Sequence, residues 1–270
     1  MRKLLFTTMA AVTVATPLWA EPPQKIDVSA LPATAKVVDT VVVPVPSEVF
    51  NVLDKLGKPN WAEVLRPTKE SVKPPPSEQP HIALQMGAVI AEGFIAVEAE
   101  NTEEVKKIGS SVRTLAKALG VQKKVDERAK AIIDGADKKD WPSVRRELDQ
   151  AQSDVKGAMR DLNSEPLSQL ISIGGWLRGT EALTDVVGKA YTKDGAELLH
   201  QPVLLDYFQR KIEAMPPKTR HNAIVGDVLK GVVEIRPLVG ISSGDQISEK
   251  SVKEINEITS QLVKKIGSKN

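Results

Sequence analysis

Residues 140–162 read DWPSVRRELDQAQSDVKGAMRDL, and the apolar positions of this stretch are Trp141, Val144, Leu148, Ala151, Val155, Ala158 and Leu162. The steps between them alternate between three and four residues. That spacing places all seven on one stripe of a 3.6-residue helix and leaves Arg, Glu, Asp and Gln on the other side. Asp140 stands where a side-chain oxygen caps the first turn. A helix with one apolar stripe needs partners, so the segments on either side must supply them.

They do. A preceding helix runs from a Thr102 cap through Val105, Ile108, Val112, Leu115 and Leu119 and stops at Gly120; a shorter one follows, ended by Gly135. Further on, helices are expected from Asp194 to Ala214, kinked or broken before Pro202, and from Thr219 to Ile235, stopped by Pro237. The last helix starts at Ser248, with Ile247 and Val252 at the two positions of a hydrophobic staple, and continues through Ile255, Ile258 and Leu262 to Gly267. The sequence therefore predicts an all-α fold, an antiparallel multi-helix bundle or helical array of about eight helices over 81–270. A tetratricopeptide-like solenoid is disfavoured, because neither a 34-residue period nor recurring aromatic, Gly and Pro positions are present.

Upstream the composition changes. Glu21 to Pro80 holds 11 of the 17 prolines found beyond residue 20, which predicts an extended Pro-rich N-terminal arm over 21–80. Within it Val37 to Val45 reads as an edge strand or as extended chain laid over the helices, Ser47 to Leu56 as a short helix, Asn60 to Leu65 as one further turn, and Arg66 to Pro80 as a polar linker. Such an arm is expected to be dispensable for folding. Residues 1–20 carry Arg2 and Lys3, an uncharged run from Leu4 to Pro17, and Ala20 before Glu21. This is the pattern of a secretory signal peptide, so a periplasmic or secreted location with no membrane span after cleavage is expected.

Removing Arg2 and Lys3 takes the basic count from 37 to 35, against 35 acidic residues. A neutral chain lacks the basic footprint of a nucleic-acid binder, and the lysines near the C-terminus read as complements to the negative end of the last helix. The absence of cysteine rules out disulfides and a lipidated N-terminus. His81, His200 and His221 are far apart and none has a second His three or four residues away, so no metal site or cofactor is expected. No sequence motif of a hydrolase, nucleotide binder or metalloprotease is present, and no catalytic residue is nominated.

Two segments depart from the amphipathic norm. His81 to Val97 is apolar on every side with Glu92 as its one formal charge and Gln85 two turns earlier; Pro166 to Thr184 is charged only at Arg178 and Glu181 and clusters Gly174, Gly175 and Gly179. Both read as buried helices rather than membrane spans, because charge lies in mid-segment. The glycines, each costing a helix ~1 kcal/mol relative to Ala, imply close approach of another backbone or of a ligand. Three arrangements of the charges are open: Glu92 and Arg178 as a buried pair, Arg178 and Glu181 as exposed neighbours, or Gln85, Glu92, Trp176 and Arg178 as the lining of a pocket. The candidate ligand-binding residues are thus Gln85, Glu92, Trp176, Arg178 and Glu181. The expected function is a non-catalytic binding or scaffolding role in the cell envelope, toward a protein partner or a small molecule. A helical enzyme using the same charges is the alternative.

Overall fold

Every described element is helical. The computed structural model describes residues 59–66, 78–240 and 246–268, all within one unit, Val41–Asn270. The expected signal peptide, the Val37–Val45 run and the Ser47–Leu56 helix lie outside the described residues. In chain order the elements are α1 (Trp61–Val64), α2 (Gln79–Glu98), α3 (Thr102–Ala118), α4 (Gln122–Asp137), α5 (Trp141–Asp161), α6 (Glu165–Lys189), α7 (Lys193–Glu197), α8 (Pro202–Glu213), α9 (Pro217–Arg220), α10 (Ala223–Ile235), a 3₁₀ turn (Arg236–Val239) and α11 (Glu249–Gly267). Eight of these helices have twelve or more residues, as the apolar periodicity predicted.

One turn, used four times, sets the first half of the fold. Each connection from α2 to α6 is three residues long, and its middle residue is left-handed: Glu100 (φ 51°), Gly120 (φ 77°), Lys139 (φ 56°) and Asn163 (φ 53°). In each, the middle N–H donates to the carbonyl three residues back and the next N–H to the one five back, as in Lys139 to Ala136 and Asp140 to Gly135. This Schellman closure satisfies the carbonyls that a helix end leaves open. The third residue then begins the next helix; Asn101 and Asp140 accept from the N–H groups of Glu104 and Ser143. So the true caps differ from two expectations. Asn101, not Thr102, caps α3, and α4 runs past Gly135 to Asp137 because Lys139 takes the left-handed position. Gly135 serves packing instead: a Cβ there would lie 2.9 Å from Val144 Cγ2 of α5.

Four reversals return the chain to its starting direction, so α2 and α6 run parallel while consecutive helices oppose one another. Leu84 meets Gly174, Gly87 meets Ile171 and Gly175, and Glu92 meets Arg178. These two helices share the most extensive contact in the molecule and form its centre. α3, α4 and α5 pack on one side, and α11, α10 and α8 on the other. The close approach expected of the glycines is backbone on backbone. A Cβ on Gly87 would lie 1.9 Å from the Ile171 carbonyl oxygen, and one on Gly174 would lie 2.1 Å from that of Leu84. α2 is long and apolar enough to cross a membrane, but here its apolar surface is buried against protein.

The second half is less regular. The predicted 194–214 helix breaks into α7 and α8 ahead of Pro202, and the predicted 219–235 helix divides at Asn222, whose side chain caps α10 by accepting from the Ile224 N–H. Asp227 and Lys265, 2.8 Å apart, tie α10 to α11. His81, at 1% exposure, donates through Nε2 to the Ile266 carbonyl and so caps α11 from the start of α2. Two expectations about the arm also change. Pro80 lies in the first turn of α2 rather than closing a linker, and Trp61 and Val64 are buried in the core, so α1 is part of the folded body.

Candidate functional site

The central pair separates beyond its glycine crossing, and the space is filled by charge. Glu92 reaches from α2 to meet Arg178 of α6, with Nε donating to Oε2 at 2.5 Å. One turn further along α6, Glu181 Oε2 lies 3.4 Å from Arg178 Nη1. Three residues apart on a helix, these two side chains share a face, but that face is interior: Arg178 is 1% exposed and Glu181 0%. The exposed-neighbour arrangement is therefore incorrect, because α6 is enclosed by α2 and α11 where this stripe emerges.

The network is completed by a residue that sequence reasoning assigned to a linker. Arg66 follows α1; its backbone N–H donates to Glu92 Oε1 at 2.6 Å, and its guanidinium pairs with Glu181 and donates to Ser260 Oγ of α11 at 3.1 Å. Arg178 Nη2 donates to the Val64 carbonyl at 2.8 Å. Two guanidinium groups and two carboxylates thus join α1, α2, α6 and α11 with no net charge. Pairing is what makes burial of Glu92, Arg178 and Glu181 tolerable, since an unpaired charge costs several kcal/mol. Burial pushes the Glu181 carboxyl above its usual range, and Arg178, then Arg66, then the Ser260 hydroxyl pull it back, with Asp185 acting against them. A signal for this segment was present in the sequence: Trp61, Val64 and Leu65 make a short apolar stripe that seats α1 on the core and so brings Arg66 beside it.

Beside the network a cleft of about 490 Å³ opens between α2 and the last turn of α11. Arg66, Gln85, Glu92, Arg178 and Lys264 supply its polar lining, and Ala88, Val89, Val263 and Ile266 its apolar part. Gln85 is 6% exposed and its carboxamide oxygen has no hydrogen-bond partner among the described residues. The structure therefore brings Gln85, Glu92 and Arg178 to one opening, with Glu181 behind them. Trp176 is not there. It lies two residues from Arg178 and so on the opposite side of α6, where its Nε1 donates to Gln201 at 3.0 Å and its ring meets Phe208 edge-on at 5.5 Å.

Among the described residues no three His, Cys, Asp or Glu side chains are placed to hold a metal ion. His200 Nδ1 lies 2.8 Å from the Val239 carbonyl, so it ties a loop as His81 ties a helix end. Comparison with family models, with curated proteins and with solved structures finds no match for the chain.

Proposed function

We propose that the protein is exported to the cell envelope and acts there by binding or scaffolding, without catalysing a reaction. The observation that carries this reading is the closure of the charge network. Glu181 is fully enclosed, and both oxygens of Glu92 already accept hydrogen bonds from Arg66 and Arg178. A general acid or base must reach the proton it moves, and neither carboxylate has that freedom. Export is supported by Arg2, Lys3, the uncharged run and Ala20.

A second reading, binding of a small ligand between helices, is favoured by the cleft that Gln85, Glu92 and Arg178 line. Its volume lies within the ~300–1,000 Å³ typical of small-molecule sites. The test has two parts. Cell fractionation with N-terminal sequencing is expected to find the chain in the periplasm or medium beginning at Glu21; an unprocessed chain embedded in membrane overturns export. Native mass spectrometry of the exported protein is then expected to show a bound molecule or partner that is recovered chemically unchanged after prolonged incubation. Conversion of that molecule to a product would establish an enzyme instead.

A further inference from the structure

We propose that the cleft between α2 and α11 binds a small amphipathic monoanion, a carboxylate carrying a short apolar tail. The inference rests on the binding reading above and specifies its ligand class. Three observations support it.

The first is charge. The cleft lining holds Arg66, Arg178 and Lys264 against Glu92. Glu92 is held by Arg178, and the enclosed Glu181 compensates Arg66, which leaves the Lys264 ammonium, in the last turn of α11, as the charge with no carboxylate partner among the described residues. Its chain neighbour Lys265 pairs with Asp227, whereas Lys264 meets no carboxylate among the described residues.

The second is preorganisation. The Arg66 side chain is 42% exposed, yet one end of its guanidinium is fixed by Glu181 and by Ser260 Oγ. Nη2 carries those contacts, so Nε and Nη1 remain as donors without an acceptor among the described residues. A guanidinium already held at one end by an enclosed carboxylate needs little further ordering to donate a single charge-assisted hydrogen bond to an anion.

The third is the apolar side. Ala88 and Val89 of α2 face Val263 and Ile266 of α11 across the cleft. A fully hydrated ion such as phosphate would leave this surface unused, whereas a short alkyl chain would cover it and gain roughly 0.8 kcal/mol per buried methylene.

Octanoate is the probe. Isothermal titration and thermal melting of the full chain lacking only residues 1–20 are expected to show saturable octanoate binding with a rise in Tm. Inorganic phosphate, which lacks the tail, and octan-1-ol, which lacks the charge, are each expected to bind at least tenfold more weakly. Lys264→Gln, an exposed change that leaves the network untouched, is expected to weaken octanoate about tenfold; Val89→Trp, which fills the cleft, is expected to abolish it. No saturable octanoate binding, equal binding of octan-1-ol, or an unchanged affinity in Lys264→Gln each overturns the proposal. A neutral molecule that co-purifies with the wild type and is lost in Val89→Trp would also overturn it, while leaving the binding reading intact.

Discussion

The central helix pair is held together in two different ways along its length. Around Gly87, Gly174 and Gly175 the backbones of α2 and α6 touch, with no side chain between them. About one turn later the same helices are bridged by Glu92 and Arg178, and the gap admits Arg66 from α1 and Ser260 from α11. One end is dry and specified by the absence of atoms; the other is specified by four charges that must all be present. The first tolerates no added volume, and the second no lost partner.

The largest effect should come from the dry end. Gly87→Ala or Gly174→Ala places a methyl about 2 Å from a carbonyl oxygen of a rigid helix, so α2 and α6 must separate along the whole contact. Each single variant is expected to lose more than ~3 kcal/mol in urea unfolding. Gly179→Ala, with nothing within 4 Å of its added methyl, is the control and should be neutral or stabilising. If Gly87→Ala melts like Gly179→Ala, the backbone contact is absent.

At the charged end, Glu92→Gln or Arg178→Met should each destabilise by ~3 kcal/mol, because each strands a buried charge. The double variant should recover part of the loss. Two single losses within ~1 kcal/mol of wild type, with no coupling in the cycle, would show that solvent rather than the partner satisfies these groups.

A smaller effect is the pH dependence contributed by Glu181. Its carboxyl is raised by burial, so in the interval above the ordinary carboxylate value the native state holds more protons at this site than the unfolded state does. The contribution of the group is therefore most favourable below its unfolded pKa and is lost as pH rises through the folded one. Measured against Glu181→Gln, the stability of wild type should fall as the pH rises above 4.5. A difference that is flat, or that rises with pH, would mean that the two arginines outweigh burial. The smallest effect lies away from the pair: Lys139→Gly relieves a left-handed backbone and should stabilise by about 0.5–1 kcal/mol in thermal melts.

Apolar periodicity determined most of the architecture without help from structure. The stripe from Trp141 to Val155 is buried as its spacing required, and only Leu162, beyond the last helical residue, turns outward. Glu92 and Arg178 were legible as partners because Glu92 is the one charge of its apolar segment and Arg178 the one cation of the other, and buried charges are costly unless paired. Glycine was legible in kind but not in role. Gly120 ends a helix, whereas Gly135 permits a close approach, and a single residue type satisfies both a left-handed φ and the absence of a Cβ. Only the tertiary structure decided that Arg66 joins the charge network, that Trp176 packs on Phe208 away from that network, and that α2 and α6 lie parallel. Those facts depend on which faces meet after four reversals of the chain. Local sequence encodes the face of each helix, while the choice of partner follows from packing all of them at once.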